Sequence, residues 1–129
     1  MTILVRHEPP YTIAIDARMY RHSGIGRSIE NLLNQFQYHP SSDFQFQLFG
    51  NVQWLNHYKQ YSSFSIHPYT MPIYSLKEQL FYPQKDFEKC ALLHIPHYNI
   101  PITYHGKLVI TIYDLIHLLS PQTITSTLG

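Results

Sequence analysis

Thr12-Ile13-Ala14-Ile15-Asp16, followed after a loop by Ser23-Gly24-Ile25-Gly26-Arg27 and a longer apolar stripe, decides the fold. The first run is short and apolar and follows Pro9-Pro10, the pattern of a strand buried on both faces in a parallel sheet. Beyond the loop, Ile25, Ile29, Leu32, Leu33 and Phe36 recur at i, i+4, i+7, i+8 and i+11. That is one apolar face at helical period. Ser23 stands where an N-cap is wanted, and His39-Pro40 stops the run.

Working outward, Phe44, Phe46 and Leu48 alternate with Gln45 and Gln47 before Gly50, which predicts a strand with one polar face, nearer a sheet edge. Val52 to Tyr61 has room for one or two helical turns around Trp54, Leu55 and Tyr58, and Phe64 to Ile66 predicts a short third strand. Ser75 can cap a helix containing Leu76, Leu80 and Phe81, which Pro83 kinks or ends and Phe87 hints is resumed. Ala91 to Ile95 predicts a fourth strand stopped by Pro96, and the β-branched Lys107 to Tyr113 a fifth. Strands alternating with helices give an α/β fold with a Rossmann-like, largely parallel sheet flanked by helices. The expected organisation is an N-terminal extension over 1–11, the domain over 12–121 and a polar tail over 122–129. No helix follows to cover the last strand, so the domain is expected to be truncated at its C-terminal end.

The 129 residues suffice for one hydrophobic core and no second full domain. Charged residues make up 13%, about half the usual ~25%, and 44% hydrophobics argue against disorder. A net charge of +1 gives no bulk attraction to nucleic acid. The single Cys90 excludes an internal disulfide framework and a cysteine-based zinc site, and suits a reducing compartment. The apolar run Ile3 to Val5 is broken by Arg6 and Glu8, too short for a signal-peptide core. Leu108 to Leu119 carries Asp114 and His117 and falls short of the ~20 residues that cross a bilayer. The expectation is a cytoplasmic protein without a transmembrane segment, with peripheral membrane contact left open.

In an open parallel sheet, ligands bind beyond the carboxyl ends of the strands. Three polar clusters fall there: Asp16, Arg18 and the Gly24–Arg27 loop; His94, His97, Tyr98 and Asn99; Tyr113, Asp114 and His117. The loop holds two of five glycines, and three of four arginines lie at Arg18, Arg21 and Arg27. Glycines allow close backbone approach, a helix N-terminus presents unpaired N–H groups, and arginines add bidentate donors, so an anion or a sugar suits the place. A tight turn with merely solvated arginines is the alternative. The dinucleotide fingerprint fails, because Ile29 stands where a third glycine is needed and Phe49, Gly50 and Asn51 where an acid is wanted; a Walker loop is absent. His94, His97 and His117 lack the helical spacing of zinc hydrolases, so no metal is expected. Asp114 can orient a substrate hydroxyl or cap the next turn, and both remain open.

Ile15-Asp16-Ala17-Arg18 with Ser23-Gly24-Ile25-Gly26-Arg27, then His94-Ile95-Pro96-His97-Tyr98-Asn99-Ile100-Pro101, then Leu108 to His117 resemble in order and spacing the family 4 glycosyltransferases. These have the GT-B fold, and the resemblance spans the amino-terminal domain from 12 to about 121. It implies a retaining two-domain transferase whose amino-terminal domain binds acceptor and whose carboxyl-terminal domain binds a nucleotide-sugar co-substrate, with no other cofactor and no metal. The site candidates are then Asp114 and Tyr113 as catalytic residues, and Arg18, Gly24, Gly26, Arg27, His97, Tyr98, Asn99 and His117 as substrate-binding ones. Tyr113 departs from the family's usual histidine; a phenol still donates one hydrogen bond but does not titrate near neutrality.

The donor-binding domain is absent from this stretch. A cleft with one wall cannot position donor against acceptor, so little or no turnover is expected of the chain alone. Its partners would be an acceptor glycan, lipid carrier or small molecule, and a separate donor-domain chain or a homo-oligomer. A truncated domain should also expose an apolar patch. The competing expectation is a non-catalytic sugar- or phosphate-binding remnant, or one subunit of a split enzyme. An unrelated Rossmann-like phosphate binder would require Tyr98, Asn99 and Asp114 to lie far from Gly24.

Overall fold

The central strand is β1 (Tyr11–Asp16), against which the rest of a five-stranded sheet is registered. The computed structural model describes residues 8–115. On one side of β1 lie β2 (Phe44–Gly50) and then β3 (Phe64–Pro68); on the other lie β4 (Leu92–Ile95) and then β5 (Leu108–Ile110). Every pairing is parallel, with Ile15 opposite Leu48 on one side and His94 on the other. The order β3-β2-β1-β4-β5 is Rossmann-like and reverses direction between β1 and β4.

Parallel neighbours need crossovers, and the helical segments supply them. α1 (Ser23–Tyr38) joins β1 to β2, and α2 (Val52–Leu55) with the 3-10 turn Asn56–Gln60 joins β2 to β3. α3 (Leu76–Phe81) and α4 (Gln84–Lys89) lie on the return from β3 to β4. The α1 stripe packs on one sheet face: Ile29 and Leu33 are buried with Ile15, Phe46, Leu48 and Phe64, and Phe36 stacks on Phe46 at 4.3 Å. The other face carries Ala14, Phe49, Leu93 and Ile95 against Phe87, Tyr82 and Cys90.

Four local expectations are corrected. Ser23 is the first helical residue of α1, with φ 23°, while His22 occupies the N-cap without a side-chain bond. β2 is interior, paired with both β1 and β3; its polar face is half-buried, and Gln47 accepts from the Cys90 thiol at 3.5 Å. The fourth strand begins at Leu92 instead of Ala91. The fifth ends at Ile110 instead of Tyr113. Among the described residues its one neighbour is β4, which stops before Pro96, so the backbone after Thr111 finds no ladder there to extend.

The apolar surface is uneven. On α3, Leu76, Leu80 and Phe81 face outward while Glu78 is 0% exposed. At the β5 edge, Val109, Ile110, Ile112, Tyr113 and Leu115 are exposed as well. Among the described residues, no helix is long and apolar enough to cross a membrane.

Candidate functional site

Asp16 ends β1 with its carboxylate buried, and Arg18 folds back onto it two residues later. Arg18 Nε donates to Asp16 Oδ1 at 2.9 Å and Oδ2 at 3.2 Å; Nη2 donates to Asp16 Oδ2 at 2.6 Å and to Glu78 Oε1 at 2.5 Å. Nη1 donates to the Met71 carbonyl at 2.8 Å, and the guanidinium lies 4.1 Å over the Tyr69 ring. Burial alone would keep the Asp16 carboxyl protonated. The hydrogen bonds from His97 and Arg18 overcome that cost and hold its pKa at about 2. The Arg18 guanidinium is likewise buried at a cost, and the Asp16 and Glu78 carboxylates drive its pKa upward.

His97 connects this charge cluster to the end of β4. Its Nδ1 accepts the Asn99 backbone N–H at 3.2 Å, which leaves Nε2 to carry the hydrogen toward Asp16 Oδ2, also at 3.2 Å. The Asn99 side chain donates to Glu78 Oε2. β1, α3 and the turn after β4 are thereby tied by one polar network beneath the carboxyl edge of the sheet.

Above it lies a cavity of about 200 Å³ lined by Ile25, Tyr74, His97, Tyr98, Thr111, Tyr113 and Asp114. Members of all three sequence clusters therefore meet at one lip. Tyr98 and Asp114 share a cavity with Ile25, the neighbour of Gly24. Tyr98 and Tyr113 are half-exposed, whereas His97 is buried. Burial and the Tyr98 hydroxyl push the Tyr74 phenol up to about 12.

The remaining candidates go elsewhere. Every guanidinium nitrogen of Arg18 makes a bond within the protein, so it belongs to the buried network, and it also borders the larger of the cavities. Asn99 serves the same network through its side chain. The close approach at Gly26 is to the protein's own loop, since a Cβ there would collide with the Tyr20 carbonyl and meet Met19 O at 2.8 Å. Gly24 has open space around it. Arg27 borders a separate depression with Tyr20, Arg21, Glu30, Trp54 and His57. His94 pairs with Thr111 Oγ1 at 2.9 Å, and burial lowers its pKa. His117 lies outside the described residues, as does the tail over 122–129.

Sequence reasoning missed Glu78 and Tyr74. One signal was present: Ser75 followed three residues later by Glu78 is the capping-box pattern. Ser75 Oγ accepts the Glu78 N–H at 3.1 Å, and Glu78 Oε2 reaches back to the Tyr74 N–H at 2.9 Å. It missed as well a larger cavity of about 540 Å³, walled by Trp54, Tyr69, Met71 and Ile73 and bordered by Tyr74. No protein-family model, curated protein or solved structure matches this chain.

Proposed function

We propose that this chain is the acceptor-side Rossmann-like domain of a retaining GT-B glycosyltransferase of the family 4 type. One observation carries the reading: Ile25, His97 with Tyr98, and Thr111 with Tyr113 and Asp114 come from the three family-like stretches and line a single cavity. It lies at the carboxyl end of a parallel sheet, where such folds bind ligands. Asp114 accepts a sugar hydroxyl, the Tyr113 phenol donates to the substrate in place of the family's histidine, and the Tyr98 ring packs on the sugar's apolar face. His97, anchored on Asp16, holds the floor. The co-substrate is a nucleotide sugar held by a second domain, and transfer occurs across the cleft between the two.

The test is sugar binding by the chain itself, followed by saturation-transfer NMR against a panel of hexoses and disaccharides. At least one sugar is expected to bind, and Asp114→Asn to weaken it tenfold or more. No transfer from UDP- or GDP-sugars is expected of this domain alone. Failure of every sugar to bind, or transfer at an ordinary enzymatic rate, would overturn the reading.

The exposed run Val109, Ile110, Ile112, Tyr113 and Leu115 favours a second reading, in which a separate donor-domain chain completes the enzyme. Light scattering showing a monodisperse monomer, with no partner recovered on purification from its native source, would exclude it.

A further inference from the structure

Glu78 turns α3 inside out. Its buried carboxylate takes the Arg18 guanidinium, the Tyr74 N–H and the Asn99 side chain, so the opposite face of the helix points to solvent. That face carries Leu76 and Leu80, which lie one above the other at i and i+4. They are 86% and 76% exposed, and Phe81 at the end of the helix is exposed beside them.

A second segment extends this surface. Gln79 Nε2 donates to the Ile100 carbonyl at 3.1 Å, and its Oε1 accepts the Ile102 N–H at 2.9 Å. Ile102, 79% exposed, is thereby laid along α3. The Tyr98 ring stands 5.7 Å from that of Tyr74, and both are about half-exposed. A monomer in water seldom leaves such an apolar and aromatic face without something to cover it.

Charge points to what that is. Residues 69–85 and 98–110 carry the face, and their one acidic residue, Glu78, is buried in the network. The same stretches carry Lys77, Lys85 and Lys107, all exposed. Lysines around protruding leucines match an anionic lipid surface, where ammonium groups meet headgroups and the leucines enter the acyl boundary. Tyr74 and Tyr98 suit the same boundary, which favours an apolar ring with a polar tip. With six residues, α3 is far short of the ~20 that span a bilayer, so it lies along the surface.

We infer that Leu76, Leu80 and Phe81 of α3, with Ile102, dock the protein on an anionic lipid bilayer, with Lys77 pairing to the headgroups. The inference is independent of the sugar-binding reading.

The full chain is mixed with vesicles of phosphatidylcholine alone, and with vesicles of equimolar phosphatidylcholine and phosphatidylglycerol. Binding is read by co-sedimentation. The mixed vesicles are expected to bind about tenfold or more tightly than the neutral ones, and high salt to narrow the difference. Leu76→Gln combined with Leu80→Gln should weaken binding about tenfold or more, because both side chains are exposed and contribute little to the core. Lys77→Gln should weaken binding to the mixed vesicles about fivefold. Ile112→Ser, in the exposed run beyond β5, should leave it unchanged. No binding to the mixed vesicles, equal binding to both kinds, or binding indifferent to the paired leucine substitution overturns the inference. So does a loss in Ile112→Ser as large as in the leucine variant. A lipid-free dimer, seen by light scattering and dissociated by the leucine substitution, also overturns it, since the face would then belong to a second copy. Should the leucine variant fail to fold by circular dichroism, the wild-type preference between vesicles and Lys77→Gln decide.

Discussion

Glu78 accepts the backbone N–H of Tyr74 at 2.9 Å while its other oxygen takes Arg18 Nη2 at 2.5 Å. One buried carboxylate therefore joins the charge cluster at the end of β1 to the strained residue that lines two cavities. It also explains why α3 turns its leucines outward: the face directed at the protein is the one carrying Glu78. A polar group buried in such a place must find partners, and its three partners meet that need.

The two carboxylates around Arg18 should not be equivalent. Asp16→Asn removes the main partner of a buried guanidinium and should cost about 3–5 kcal/mol. Glu78→Gln keeps the Asp16–Arg18 pair and should cost less, about 1–3 kcal/mol. Urea unfolding midpoints of the two variants check the order, and equal losses would contradict it.

Acid should weaken the fold through Asp16. Its folded pKa, about 2, lies below its ordinary value of 3.8, so the unfolded chain binds the proton more readily. The stabilisation is fully present above about pH 4 and disappears as pH falls toward 2, a loss of about 2 kcal/mol. Urea midpoints at pH 5 and pH 2 should differ accordingly, and by less in Asp16→Asn.

Tyr74→Gly should stabilise the protein. The side chain is 57% exposed, so little burial is lost, while the left-handed backbone ceases to be strained. A gain of about 1 kcal/mol is expected from the cost of that conformation in a residue with a Cβ. Thermal unfolding measures it, and a lower midpoint in the variant would refute it.

The two glycines of the α1 turn should respond oppositely to alanine. At Gly26 the new methyl would drive into the carbonyls of Tyr20 and Met19, at a cost of about 2 kcal/mol or more. At Gly24 nothing lies within 4 Å, so the better helix former should be neutral or add about 0.5–1 kcal/mol. Denaturant midpoints separate these outcomes.

Cys90 should be inert in the native protein. It is 4% exposed, and burial pushes its thiol up to about 11. A disulfide reagent at pH 8 should leave it unmodified until urea unfolds the chain, and rapid native labelling would refute this.

The helical stripe from Ile25 to Phe36 and the apolar strand before Asp16 were legible because both are local periodicities. From them, parallel strands with crossovers followed, and the carboxyl edge became the place for His97, Tyr98, Tyr113 and Asp114 to gather. The edge position of β2 was misread because alternation records polarity and not the number of neighbouring strands. The length of β5 was overestimated because β propensity continues to Tyr113 although its partner stops at Ile95.

What the chain determined by itself is thus the α/β class, most of its elements and the edge at which His97, Tyr98, Tyr113 and Asp114 gather, since these depend on neighbours a few positions apart. Only the tertiary structure decided that Arg18 pairs with Asp16 and with Glu78, 60 positions away, that Gly26 makes room for backbone, and that Tyr74 lines two cavities. A side chain's partner depends on which distant segment the fold brings beside it, and no local pattern carries that information.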